Sequence, residues 1–172
     1  MEALMRSVIR NIRMAIKDPT DYIARSNLMW ASTMAENRVI KMGKKCDFEC
    51  HNMGYQLSVY TGCSHGFSMA VLHPVYYRHI FRDGLGKFVR FAKNVWELVP
   101  KDQSDEVFAL EGIKALEKFI REIGLPATIK ELGMTDKGAL REIADSCILS
   151  GGGYKKMSHD EIYRIFNECF GI

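Results

Sequence analysis

The chain holds 172 residues, 47% hydrophobic and 26% charged, with a formal net charge of +3. That apolar fraction can fill a packed core, and the interspersed, nearly balanced charge, with no basic run or arm, argues against a nucleic-acid partner. No segment approaches the roughly 18 consecutive apolar residues of a membrane span, and the N-terminus MEALMRSVIRNIRM lacks the apolar stretch of a secretory signal.

Helix signals dominate from the first residues. Leu4, Val8, Ile12 and Ile16 recur at four-residue steps and predict a helix over 3–16. Asp18-Pro19 breaks it, with Asp18 placed to cap and Pro19 to start a long helix over 20–42. Ile23, Leu28, Met34, Val39 and Ile40 are among its apolar positions, and Gly43 stops it. A third helix is predicted over 46–60, followed by a turn over 61–64. The apolar segment 66–81 contains Pro74, which predicts a kink or a split. Asp83-Gly84 marks a turn, and 85–98 reads as amphipathic through Phe88, Phe91, Val95 and Leu98, ended by Pro100.

Ser104 caps the clearest helix, 105–123, where Val107, Leu110, Ile113, Leu116, Phe119, Ile120 and Ile123 keep helical spacing. Asp105 and Glu106 suit its first turn, and Gly124 and Pro126 close it. A short helical turn over 128–132 and a longer helix over 136–149 follow. Gly151-Gly152-Gly153 forms a loop, and Ser158 with Glu161 gives a capping box before the last helix, 158–170. The sum is an all-α fold, a single multi-helix, bundle-like domain over 1–172.

Five His and five Cys are the raw material for chemistry. His51 lies on the third helix and His65 just after the turn that ends it, so a helix reversal brings both imidazoles toward one point. Neutral imidazole is the commonest transition-metal ligand. Cys46 and Cys50, one helical turn apart, with His51 and Cys63, offer a closed zinc site as an alternative, although their spacing matches no common zinc-binding pattern. Buried free thiols are the plainer reading. The cysteine count is odd and fits no disulfide scaffold, which with no secretion signal points to reduced thiols in a cytoplasm.

The run His51-Asn-Met-Gly-Tyr-Gln-Leu57-Ser58-Val-Tyr60-Thr-Gly-Cys-Ser-His65-Gly66, followed by Ala70 and Pro74, resembles the C-terminal signature of iron-containing alcohol dehydrogenases. That signature has a His, a Leu-Ser pair, a Tyr, and a His-Gly fourteen residues after the first His. Butanol dehydrogenase-like members share the flanks too: Ala24-Arg-Ser, Leu28-Met-Trp-Ala, Gly43 with Asp47-Phe48, Gly124-Leu-Pro126 and Leu132-Gly133. The resemblance implies the C-terminal α domain of iron-containing alcohol and dehydroquinate synthase-like enzymes. In that family a divalent iron or zinc is held by three His and one Asp, between this domain and an N-terminal dinucleotide-binding domain. It implies that His51 and His65 are metal ligands. It further implies an oxidoreductase interconverting alcohols and aldehydes with NAD(P).

The departures are as informative. The family's remaining Asp and His ligands lie upstream of the first signature His, and residues 1 to 50 contain no His. No glycine-rich pyrophosphate loop is present, since the triple glycine follows no strand. Tyr55 stands where members often carry a second His, Gly54 replaces a Glu, and Thr61 replaces an Asp or Asn. The expectation is a helical half that lacks its dinucleotide-binding domain and is inactive alone. Fe(II) or Zn(II) would bind at His51 and His65, and NAD(P) only with that domain.

Two other readings stand beside it: a non-catalytic module that self-associates or docks a separate N-terminal lobe through an apolar face, and a small zinc-binding helical protein. His73 reads as structural, His79 and His159 as surface residues, Tyr55 as a core aromatic rather than a cleft residue, Trp30 and Trp96 as core, and Lys44-Lys45 as solvated charge.

Overall fold

The computed structural model describes residues 1–171. These residues form eight α-helices with no strand among them, in agreement with the all-α expectation. Helix α1 (Glu2–Lys17) packs on α2 (Tyr22–Glu36). The four-step Leu4 face is not its buried one: Val8 and Ile16 are exposed, and Asn11 is the buried residue. Asn11 donates to the Ser7 carbonyl at 2.7 Å and accepts from Asn27 of α2 at 3.1 Å. A buried amide is retained here because its hydrogen bonds are made.

The second helix starts and stops differently from its sequence signals. Asp18 turns back on Thr20, and Asp21 takes the cap, accepting from the Ala24 N–H at 3.0 Å. The helix ends at Glu36 rather than 42, because Arg38 adopts φ 67 and the chain re-forms only a 3-10 turn over Val39–Lys41. Trp30 is 64% exposed, not core, since α2 packs chiefly on α1 and that turn.

Helices α3 (Glu49–Thr61) and α4 (His65–Ile80) form an antiparallel hairpin. Gly62, at φ 68, makes the reversal, a left-handed position that glycine fills without steric cost. Helix α4 is unbroken through Pro74, against the expected kink or split. Proline withholds one N–H and costs about 3 kcal/mol in a helix interior. Here α4 is enclosed by α3, α6 and α8, and Met69, Val71, Leu72, Val75, Tyr76 and Ile80 are all buried on it. That burial outweighs one lost hydrogen bond.

The expected 85–98 helix is instead α5 (Leu85–Arg90) followed by a π-helical turn, Phe91–Val95. Helix α6 (Asp105–Glu122) begins at its Ser104 cap as predicted. It crosses the π turn where Gly112 meets Ala92, with no room for a side chain. Helix α7 covers Leu140–Ser146, shorter than 136–149, with a 3-10 turn over Lys137–Ala139 before it. Helix α8 (His159–Cys169) has the predicted capping box, Ser158 and Glu161 each satisfying the other's backbone N–H. The core gathers α3, α4, α7 and α8 around Leu57, Leu72, Tyr76, Ile143, Ile162 and Phe166. No helix among the described residues is long and apolar enough to cross a membrane.

Candidate metal centre

The α3–α4 hairpin places His51 in the first turn of one helix and His65 at the first position of the next. His51 Nδ1 lies 3.1 Å from His65 Nε2. Two nitrogens bound to one transition metal at about 2.0–2.1 Å each are separated by about 3 Å, so the observed spacing suits a pair of ligands on a single ion. Burial first, and the neighbouring His65 second, push the His51 pKa down. That keeps its ring neutral with a lone pair to offer at neutral pH. His65 Nδ1 is buried and finds no hydrogen-bond partner among the described residues.

The start of α3 is tied down tightly. Asp47 accepts from the Glu49 N–H at 2.9 Å and from the Tyr76 hydroxyl at 2.7 Å. Glu49 is buried and accepts from the Ser150 N–H at 2.7 Å, which joins the helix start to the triple-glycine loop. Burial, reinforced by Asp47, pushes the Glu49 carboxyl up, with the Ser150 hydrogen bond opposing. Gly152 passes directly against the Cys46 carbonyl, and a side chain on Gly153 would come within 2.6 Å of Asp47 Oδ2. Gly152 and Gly153 thus bring the loop into close contact with the start of α3.

His73 shares the neighbourhood without joining the pair. Its ring centroid is 6.4 Å from that of His51, and its Nδ1–H donates to the Met69 carbonyl at 3.0 Å. Desolvation lowers its pKa to about 4, which fits the structural role read from the sequence. The cysteine alternative gains no support: among the described residues no three His, Cys, Asp or Glu side chains converge as a metal site. Cys50 instead lies in the hydrophobic core, its thiol pKa driven up by burial.

Several side chains sit elsewhere than the sequence suggested. Tyr55 is 55% exposed rather than core, and its ring stacks on His65 with centroids 4.3 Å apart and planes 9° from parallel. His79 and His159 are half-buried, and a ring N–H of His159 donates to the Cys147 carbonyl at 3.0 Å. Lys44 and Lys45 are exposed, as expected of solvated charge. Sequence reasoning passed over Glu49, Tyr76 and Ser150. A lone acidic residue next to a cysteine carries no local signal of burial.

The family model for the C-terminal part of the Fe-containing alcohol dehydrogenase family matches residues 1–170. The chain belongs to the iron-containing alcohol dehydrogenase family. It is 32% identical over 174 residues to NADH-dependent butanol dehydrogenase A of Clostridium acetobutylicum, a match covering 98% of this chain and 44% of that protein. Butanol dehydrogenase B of the same organism is likewise 32% identical, over 97% of this chain and 44% of its own length. The chain thus spans less than half the length of these relatives. Among solved structures, NADH-dependent butanol dehydrogenase A from Thermotoga maritima superposes with a TM-score of 0.90 at 23% identity, over 99% of this chain and 45% of that one. Escherichia coli YqhD gives 0.88 at 23% identity, over 98% and 43%. The helical fold of this chain is therefore the fold of part of those proteins.

Proposed function

We propose that the chain is the metal-holding helical half of an NAD(P)-linked alcohol dehydrogenase, in which His51 and His65 bind a divalent iron or zinc. The observation that carries this reading is the 3.1 Å approach of His51 Nδ1 to His65 Nε2. Bound there, the ion supplies Lewis acidity that polarises an alcohol or aldehyde oxygen. The chain's own residues hold the ion and fix its place: the brace of Asp47, Glu49 and Ser150 sets the start of α3 and hence His51. Two imidazoles alone leave coordination positions open. The remaining ligands and the dinucleotide site come from the part of the enzyme that the relatives' remaining length represents. These 172 residues alone turn over no alcohol.

A docking role belongs to the same proposal and rests on a separate observation. On α2, Tyr22, Ile23, Met29 and Trp30 are 81%, 66%, 74% and 64% exposed, and Met42 beyond it is 75% exposed. So much apolar surface on one element is unusual for a chain without a partner. In our reading it receives an N-terminal lobe or, failing that, a second copy of this chain. Mixing the chain with a dinucleotide-binding lobe from a butanol dehydrogenase tests both points. Complex formation with NAD(P)H-linked butanal reduction, lost in His51→Ala, supports the proposal. A chain that stays monomeric and inactive beside that lobe contradicts it.

A further inference from the structure

Resting on that metal-binding reading, we infer that Tyr55 is a positioning residue that holds the imidazole of His65 in its ligating orientation. The terminal torsion of histidine is broad, so a ligand ring needs something beyond its own rotamer to aim it. Metal-bound histidines ordinarily obtain this from a hydrogen bond made by the other ring nitrogen. His65 has no such bond, since its Nδ1 is buried and unpartnered among the described residues. What it has is a slot. Tyr55 lies flat on one face of the ring, 4.3 Å between centroids and 9° between planes. The neighbouring Gly54 leaves the space beside it, where a Cβ would stand 3.1 Å from His65 Cε1 and 2.7 Å from Met69 Sδ.

The environment of Tyr55 fits this role better than a packing one. The residue is 55% exposed, so its ring does not fill the core. Its hydroxyl makes no hydrogen bond among the described residues, so the aromatic face is the part in use. Tyr55 also lies one helical turn after His51, with ring centroids 6.3 Å apart, which places the brace for one ligand on the helix that carries the other.

Zn(II) titration by calorimetry, together with NMR of the His65 ring, tests the inference on wild type, Tyr55→Phe, Tyr55→Ala and His51→Ala/His65→Ala. Tyr55→Phe should retain wild-type Zn(II) affinity and the upfield ring-current shift of the His65 carbon-bound protons. Tyr55→Ala should keep its helical circular dichroism, lose that shift and bind Zn(II) about tenfold more weakly, the usual scale for losing a residue that orients a ligand. Unchanged affinity in Tyr55→Ala overturns the inference. Equal weakening in Tyr55→Phe overturns it too, since the hydroxyl and not the ring would then matter. Failure of the underlying reading looks different: wild type would bind no Zn(II), or bind it as the double-His variant does.

Discussion

The Tyr76 hydroxyl donates to Asp47 Oδ2 at 2.7 Å and ties the C-terminal half of α4 to the entrance of α3. Tyr76 is almost completely buried, and its phenol pKa is pushed up by burial and by this bond. A hydrogen bond to a charged acceptor contributes about 2 kcal/mol. Tyr76→Phe should lower the unfolding free energy by that much, read as a lower urea midpoint at an unchanged m-value, because the ring still fills its site. An unchanged midpoint would show that Asp47 is satisfied equally well by water.

Gly112 is the second point of control. An exposed helical glycine replaced by alanine gains about 1 kcal/mol. Here the new Cβ would lie 2.7 Å from Ala92 Cβ and 2.8 Å from Ala92 Cα, a contact with backbone that cannot swing aside. Overpacking costs about 1–3 kcal/mol and exceeds the propensity gain. Gly112→Ala should therefore destabilise, with a lower thermal midpoint; a raised one would mean that the π turn yields.

His73 makes stability depend on pH. Its ring is neutral in the folded chain, with a pKa lowered from 6.5 to about 4 by burial. Between those values the unfolded chain binds a proton that the native chain does not, so stability is complete above the unfolded pKa and falls with pH toward the folded one. The loss from about pH 7.5 to about pH 5 is about 2 kcal/mol. The difference between the urea midpoints at the two pH values should shrink in His73→Leu, with His51 and His79, whose pKa values burial also lowers, carrying the remainder; an equal pH difference in the variant would mean that other groups carry it.

Much of this arrangement is legible in the sequence. The helix over α6 and the capping box of α8 follow from spacing and cap chemistry that act within a few residues, and the His51 and His65 pair follows from a helix reversal marked by Gly62. What escapes is set by distant contacts. Pro74 reads as a break, yet three surrounding helices keep α4 intact. Tyr55 reads as core because aromatic residues usually are, and only the position of His65 shows otherwise. The buried Glu49 is matched by Ser150, about a hundred residues on, which no local pattern can reveal.

The most direct measurement is the iron and zinc content of protein purified without chelator, repeated after titration with Fe(II) and Zn(II), for wild type and for His51→Ala/His65→Ala. The account predicts near-stoichiometric metal in the wild type that is lost in the double variant while its helical content is retained. No metal in the wild type, or metal unaffected by the substitutions, would contradict the assignment of His51 and His65 as ligands.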